Sequence, residues 1–272
     1  MSGGWKSWAG NGVGTPRLLL NSTSPRFPNG LANSSELVGR NLMFHPVALV
    51  SGVFPERVNG YRGPDGVLIH SQEFYETDRS RGFVRGLQLQ LARDVGPLGT
   101  ALGSFTGQLL PWGADHHQTW RERFGHTLTV AVMLEDLPEP HNRVTLDPML
   151  RDGHGIAAPK IDYTLSENSR LALDFGVARA TELLEAAGAQ TVFTQSPLRN
   201  SGWHLMGTAR MGDDPQHSVT DRWGRTHDVP NLFIIDESLF VTCAPINPTS
   251  TIQALALRTA DWLANHFAEV AP

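Results

Sequence analysis

Polar and apolar residues are most clearly patterned in the middle of the chain. Val47 to Val53 is an apolar run, Val67 to Phe74 alternates in part, and Thr127 to Leu134 alternates before ending in Glu135-Asp136. Two shorter runs follow, Arg143-Val144-Thr145-Leu146 and Lys160-Ile161-Asp162-Tyr163, separated by turn signals at Asp147-Pro148 and Asp152-Gly153. A period of two between such turns predicts strands. Strands this dense, with no helix between most of them, predict an antiparallel sheet. Leu98 to Glu122 fits neither period. Beyond it, Leu173, Val177, Ala180, Leu184 and Ala187 recur with helical spacing behind a Ser166-Glu167 cap, and Gly188 stands where a helix should stop.

The ends of the chain differ from this middle. Met1 to Ser24 opens with neither period, and Thr15-Pro16-Arg17-Leu18-Leu19-Leu20 is its first helix signal. Phe27 to Arg40 has loop composition. Near the other end, Leu232 to Ile235 is a short apolar run between Asn231 and Asp236, which suits a buried parallel strand. Pro248 suits the first turn of a helix with Asn247 or Thr249 as its cap. That helix, about Thr249 to Phe267, is apolar around most of its first half, and this end is expected to be buried.

Composition narrows the class without naming it. The chain has 272 residues with 40% hydrophobic and 18% charged content, within the range of a soluble globular protein. A net charge of −5 without a Lys/Arg cluster argues against a nucleic-acid partner. One cysteine, Cys243, allows no disulfide framework, so a reducing, cytoplasmic setting is expected. No apolar run reaches membrane-spanning length, and Met1 to Gly14 lacks the apolar core of a signal peptide.

Among eleven histidines, position matters more than number. Asp115-His116-His117 lacks a third ligand at helical or hairpin spacing and is expected in a surface loop, with no metal. No Gly-x-Ser-x-Gly elbow exists for a serine hydrolase, and Cys243 has no base near it in sequence. Gly10-Asn11-Gly12-Val13-Gly14 does not meet Gly-x-Gly-x-x-Gly and is followed by Pro16, so it is a turn into a helix and not a pyrophosphate loop. His204, between Trp203 and Leu205-Met206-Gly207-Thr208, suits either a tethered buried histidine or a catalytic one. Asn247 is either a turn residue or a polar contact.

Three segments resemble the C-terminal motifs of the glucose–methanol–choline (GMC) flavin oxidoreductases: His204 to Gly212, Phe233 to Ser238, and Asn247 to Ala256. Gly12 to Leu20 resembles that family's second signature, and Gly39 to Pro46 the loop after it. The resemblance implies an α/β (α+β) fold in three parts. Residues 1–43 would be a remnant of the FAD-binding domain. Residues 44–200 would form a substrate-binding domain with an antiparallel sheet backed by helices. Residues 201–272 would return to the FAD-binding domain. It also implies FAD as cofactor and a small alcohol, polyol or sugar as substrate, with His204 accepting the hydroxyl proton and Asn247 holding the oxygen. Asp236 and Glu237 would lie near the ribityl–pyrophosphate part, and Pro248 and Thr249 under the flavin ring. Met43 to His45 would line the ring's other face, with Asn41 also contacting the cofactor.

The strand, Gly-x-Gly-x-x-Gly turn and acidic ribose ligand that bind the ADP half are not found, so the chain resembles the family's C-terminal portion lacking the ADP-binding region. Glu237 stands where the family has a small residue. The expectation is that the chain alone binds FAD weakly or not at all and that its Leu232–Ile235 strand lacks partners. The alternatives are an inactive truncated fragment, an interaction module, or one half of a split enzyme whose ADP-binding half is a separate chain.

Overall fold

The computed structural model describes residues 5–63, 67–92, 94–103, 110–199 and 201–270. In chain order its first elements are β1 (Lys6–Trp8), α1 (Asn11–Asn21), β2 (Val47–Val53), β3 (Val67–Ser71), β4 (Leu87–Ala92), α2 (Pro97–Leu102) and α3 (His116–Arg123). There follow β5 (Thr127–Leu134), β6 (Arg143–Arg151), β7 (Ala157–Asp162), α4 (Glu167–Ala186), β8 (Thr191–Gln195), β9 (Leu232–Ile234), α5 (Thr249–Asn265) and α6 (Phe267–Val270). They fall into two units. The first comprises Met1–Phe44, Asp136–Thr164 and Gly202–Pro272, and the second His45–Glu135 and Leu165–Ser201. Asp136–Thr164 therefore groups with the chain ends, tied there in part by a Val144 N–H bond to Gly39 O (2.8 Å).

The second unit holds the expected antiparallel sheet, in the order β3-β4-β5-β2-β8. Val47 pairs with Met133 and Val53 with Thr127, so two apolar strands form its centre. Helix α4 covers one face, and Ala172, Leu173, Ala180 and Leu184 pack with Val50, Leu87, Val132 and Leu134. Ser166 caps α4 by accepting from Ser169 N–H at 3.1 Å. Gly176 lets the helix approach closely, because a Cβ there would meet Val132 Cγ1 at 2.3 Å. Strand β4 escapes the sequence reading because Gln88 and Gln90, its polar positions, are buried and bonded to each other (Nε2 to Oε1, 2.8 Å). Residues 98–122, which fit no period, overlap α2 and α3. Asp115-His116-His117 opens α3 rather than lying in a loop.

The first unit contains two small sheets. Strand β1 pairs in parallel with β9, Lys6 opposite Leu232 and Trp8 opposite Ile234. The expectation that the Leu232–Ile235 strand lacks partners is therefore corrected: the partner is a segment with no strand period of its own. β6 and β7 form an antiparallel pair. Helix α1 starts at Asn11, earlier than the Thr15 signal, because Asn11 Oδ1 accepts from Val13 and Gly14 N–H at 2.9 and 3.0 Å. The expected burial of α5's first half is also corrected. Thr249, Ser250, Thr251, Gln253, Ala254 and Leu257 are exposed, and the helix buries only Thr259 and Leu263. Apolar composition cannot bury a face that nothing in the unit covers.

Candidate active site

Three segments of the first unit are laced together around His204. Met43 and Met206 exchange backbone N–H···O bonds at 3.0 Å, and Gly39 N–H donates to Thr208 O at 2.8 Å. On the other side, the N–H groups of Gly207, Ala209 and Met211 donate to the carbonyls of Glu237, Ser238 and Leu239 at 3.2, 2.8 and 2.9 Å. His204 enters this arrangement in the left-handed region, φ 57°, which is costly for a side chain with a Cβ. Gly207 has φ 90°, and a Cβ there would meet Asn41 O at 2.3 Å, so only glycine allows the close approach.

A second lock joins the segment to α1. Pro16 has no N–H, so within the helix the carbonyl of Gly12 lacks its usual donor. Thr208 Oγ1 fills that place at 2.7 Å and is fully buried. Gly12 itself lies against Leu205, where a Cβ would come within 2.0 Å of the carbonyl oxygen. Sequence reading missed this role of Thr208, although a proline inside a helix is the signal that could reveal it.

Asn41 is buried with φ 60°, a conformation asparagine tolerates. Asp236 is buried and its carboxylate is engaged: Oδ2 accepts from Gly10 N–H at 2.7 Å and from Thr15 Oγ1 at 2.5 Å, and Oδ1 accepts from Ser238 N–H at 2.8 Å. Glu237 is half-buried, and desolvation, with a smaller contribution from Asp236, raises its pKa. Asn247 and Thr249 are exposed while Pro248 is buried at the head of α5. Met43, Met206, Phe240 and Cys243 form one apolar cluster with Ile252 and Leu255 of α5. The start of that helix is thus held by the same core as the His204 and Asn41 segments. His45 lies in the second unit, at the head of β2, buried with Nδ1 2.7 Å from Leu134 O. This bond places its proton on Nδ1.

Further anchors lie next to the site. Asp136, buried, accepts from Tyr163 Oη at 2.8 Å and from Phe44 N–H at 3.3 Å. Burial, with the Asp136 charge, pushes the Tyr163 phenol far above its ordinary value. Cys243 Sγ accepts from Asp136 N–H at 3.2 Å, so the thiol serves packing and hydrogen bonding. Among the described residues no group of three metal-ligating side chains exists, and no helix is long and apolar enough to cross a membrane.

Burial lowers the pKa of His204 below its ordinary value. Its imidazole is therefore neutral near pH 7 and able to take a proton. The starts of α1 and α5 also differ. The N–H groups at the head of α1 are occupied by Asn11 and Asp236, whereas Pro248, the N-cap residue of α5, makes no side-chain cap bond and no acidic residue lies in that helix's first turn. An electron-rich ring edge fits the positive end of α5, while a diphosphate does not fit α1.

Residues 138–256 match the family model for GMC oxidoreductase. The chain is 45% identical over 262 residues to 2-methyl-1,2-propanediol dehydrogenase of Mycolicibacterium austroafricanum, covering 96% of this chain and 48% of that protein. It is 33% identical to the fructose dehydrogenase large subunit of Gluconobacter japonicus, covering 94% and 46%. The chain thus spans about half the length of these curated relatives. A structure of Aspergillus oryzae RIB40 formate oxidase, from work on its FAD modification, superposes with a TM-score of 0.63 at 18% identity, covering 96% of this chain and 54% of that one. This likeness shows a shared fold.

Proposed function

We propose that this chain, whose residues 138–256 match the family model for GMC oxidoreductase, is the C-terminal portion of an FAD-dependent enzyme oxidising a CH–OH group of a small alcohol, polyol or sugar. The observation that carries this reading is His204: strained, half-buried, kept neutral by desolvation, and fixed by the bonds that Met206 to Met211 make on both sides. A neutral imidazole in that setting accepts the substrate's hydroxyl proton, and the Asn247 amide donates to the oxygen as charge develops on it. FAD, when bound, supplies the two-electron acceptor for the hydride.

The residues present fit the ring end of the flavin. Pro248 and Thr249 would set the helix start beneath it, and Asn41 would also contact the cofactor. Asp236 would act mainly by holding α1 and the Glu237 turn in place, and Glu237 would lie beside the ribityl chain in a partly desolvated setting. The domain assignment carried into this reading is a substrate-binding region within 44–200, flanked by FAD-binding parts at 1–43 and 201–272. A cytoplasmic location and an alcohol or sugar partner complete it. The exposed first half of α5 and the two-stranded β1–β9 sheet support a chain that works together with an ADP-binding region.

The test is stopped-flow flavin reduction by 2-methyl-1,2-propanediol and by fructose, with this chain joined to the N-terminal half of the 2-methyl-1,2-propanediol dehydrogenase that it resembles. His204→Ala should slow reduction by about 10²-fold or more, the typical loss for a general base. An unchanged rate would remove His204 from the chemistry.

A further inference from the structure

Beginning at Arg40, next to Asn41 in the chain, the first unit carries an arrangement of charge that its own fold does not explain. Arg40 and Arg143 stand opposite each other in an antiparallel β-bridge, and like charges in that position repel. On the far side of Arg143 the β6–β7 register places Asp162 opposite it. That carboxylate is shared: Lys160 Nζ approaches it at 3.1 Å and Arg143 Nε at 3.9 Å. Arg40 is steadied by an Nε bond to Glu36 O at 2.8 Å, and among the described residues it forms no ion pair.

All four groups line one open cavity of about 710 Å³, completed by Pro140 and His141. A second cavity of about 510 Å³, with Glu36 on its wall, adjoins it and shares both arginines. The first cavity therefore sets three fixed cations against one carboxylate, in a chain whose net charge is −5. An isolated arginine pair is an ordinary surface feature. Two arginines held side by side by the backbone, with a lysine on the next strand, are a preformed receptor for an oxyanion. Guanidinium groups bind phosphate oxygens in pairs and lysine adds a point charge. A phosphate monoester carries about −1.5 to −2 at neutral pH, which matches the local excess. The volume is in the range that small-molecule sites occupy.

We propose that the cavity lined by Arg40, Arg143 and Lys160 binds the phosphate group of a small phosphorylated molecule. The bound anion sits between the two arginines and turns their repulsion into attraction. The site is independent of the oxidoreductase reading and requires neither FAD nor an alcohol.

The experiment is calorimetric titration of the full chain, without FAD, in buffers of constant ionic strength. Inorganic phosphate is the probe in one arm and glycerol 3-phosphate in the other. Saturable binding at one site is expected, with the ester tighter if the organic part contributes and equal affinities if free phosphate is the ligand. Arg40→Gln and Arg143→Gln should each weaken binding by about tenfold, the loss expected for one hydrogen bond between charged groups. Asp162→Asn removes the competing carboxylate and should tighten binding severalfold, a direction that general damage to the hairpin would not give. The proposal is overturned if neither probe saturates, if both arginine variants bind like the parent, or if Asp162→Asn weakens binding.

Discussion

In the second unit, thirteen buried side chains pack into one cluster between a five-stranded sheet and α4, and only three more form a second, small cluster. The first unit spreads its buried apolar residues over separate clusters of seven, four and two. What joins the first unit's parts is a set of directed bonds. Asp236 ties α1 to the turn after β9, Thr208 completes the broken helix at Pro16, and Asp136 holds Phe44 and Tyr163. The unit with the apolar bulk carries one of the proposed site residues, His45, and the bonded unit carries the others. The difference suggests a division of labour. A continuous core is insensitive to direction and gives stability, while buried hydrogen bonds fix the position of backbone and side chains closely enough for chemistry.

The largest effect tests the continuous core. Leu173→Ala removes a buried side chain from the face of α4 packed on the sheet, and should cost about 3 kcal/mol in urea unfolding. A loss below about 1 kcal/mol would mean that this core relaxes as freely as a surface and would break the contrast.

A charge inside the same unit sharpens the comparison from the other side. Asp94 is 7% exposed, its Oδ2 is buried without a hydrogen-bond partner among the described residues, and desolvation raises its pKa to about 6. Below about pH 4 the carboxyl is protonated in both folded and unfolded chains. As pH rises toward 6 the unfolded chain releases its proton first, so stability falls, and it levels off above the folded pKa. Asp94→Asn should therefore stabilise the chain by about 2 kcal/mol at pH 8 and by almost nothing at about pH 3. Thermal unfolding across that range checks it, and a gain independent of pH would remove the ionised carboxylate as its cause.

In the bonded unit, Thr208→Val keeps shape and deletes one hydroxyl. The Gly12 carbonyl, already without a proline N–H, loses its donor, at a cost of about 1–2 kcal/mol. The substitution should also raise amide exchange in the α1 segment, measurable by hydrogen–deuterium exchange. Unchanged protection there would show that the lock between the two motifs carries no load.

Much of the second unit was legible because its order is local. Val47–Val53 and Thr127–Leu134 are strands with the bounds that their patterns predict, and Ser166 caps the helix that the period announces. Strand β4 was hidden by Gln88 and Gln90, whose polarity reads as surface until the buried bond from Gln90 to Gln88 is seen. The first unit was legible in its motifs and opaque in its joints. Lys6–Trp8 finds a partner only at Leu232–Ile234, and Asp236 bonds to Gly10 and Thr15, separations that no local period encodes. The crowding of Arg40 against Arg143 was invisible for the same reason.

The smallest effect concerns the helix whose apolar character misled the sequence reading. Leu257 on α5 is 71% exposed, and Leu257→Ser in the isolated chain should change stability by less than about 0.5 kcal/mol, as for other surface positions. The same substitution has a second consequence if an ADP-binding region packs on that face. In the chain joined to a relative's ADP-binding half, Leu257 would be buried, and the serine should cost about 2 kcal/mol or more by loss of apolar area and an unpaired hydroxyl. Measuring both forms separates the two states of one surface. Equal and small losses would mean that the face stays in water in the longer protein, and the support that α5 gives to a C-terminal portion would be lost. A large loss already in the isolated chain would mean that the face is covered there by another copy, which sedimentation would detect as a dimer.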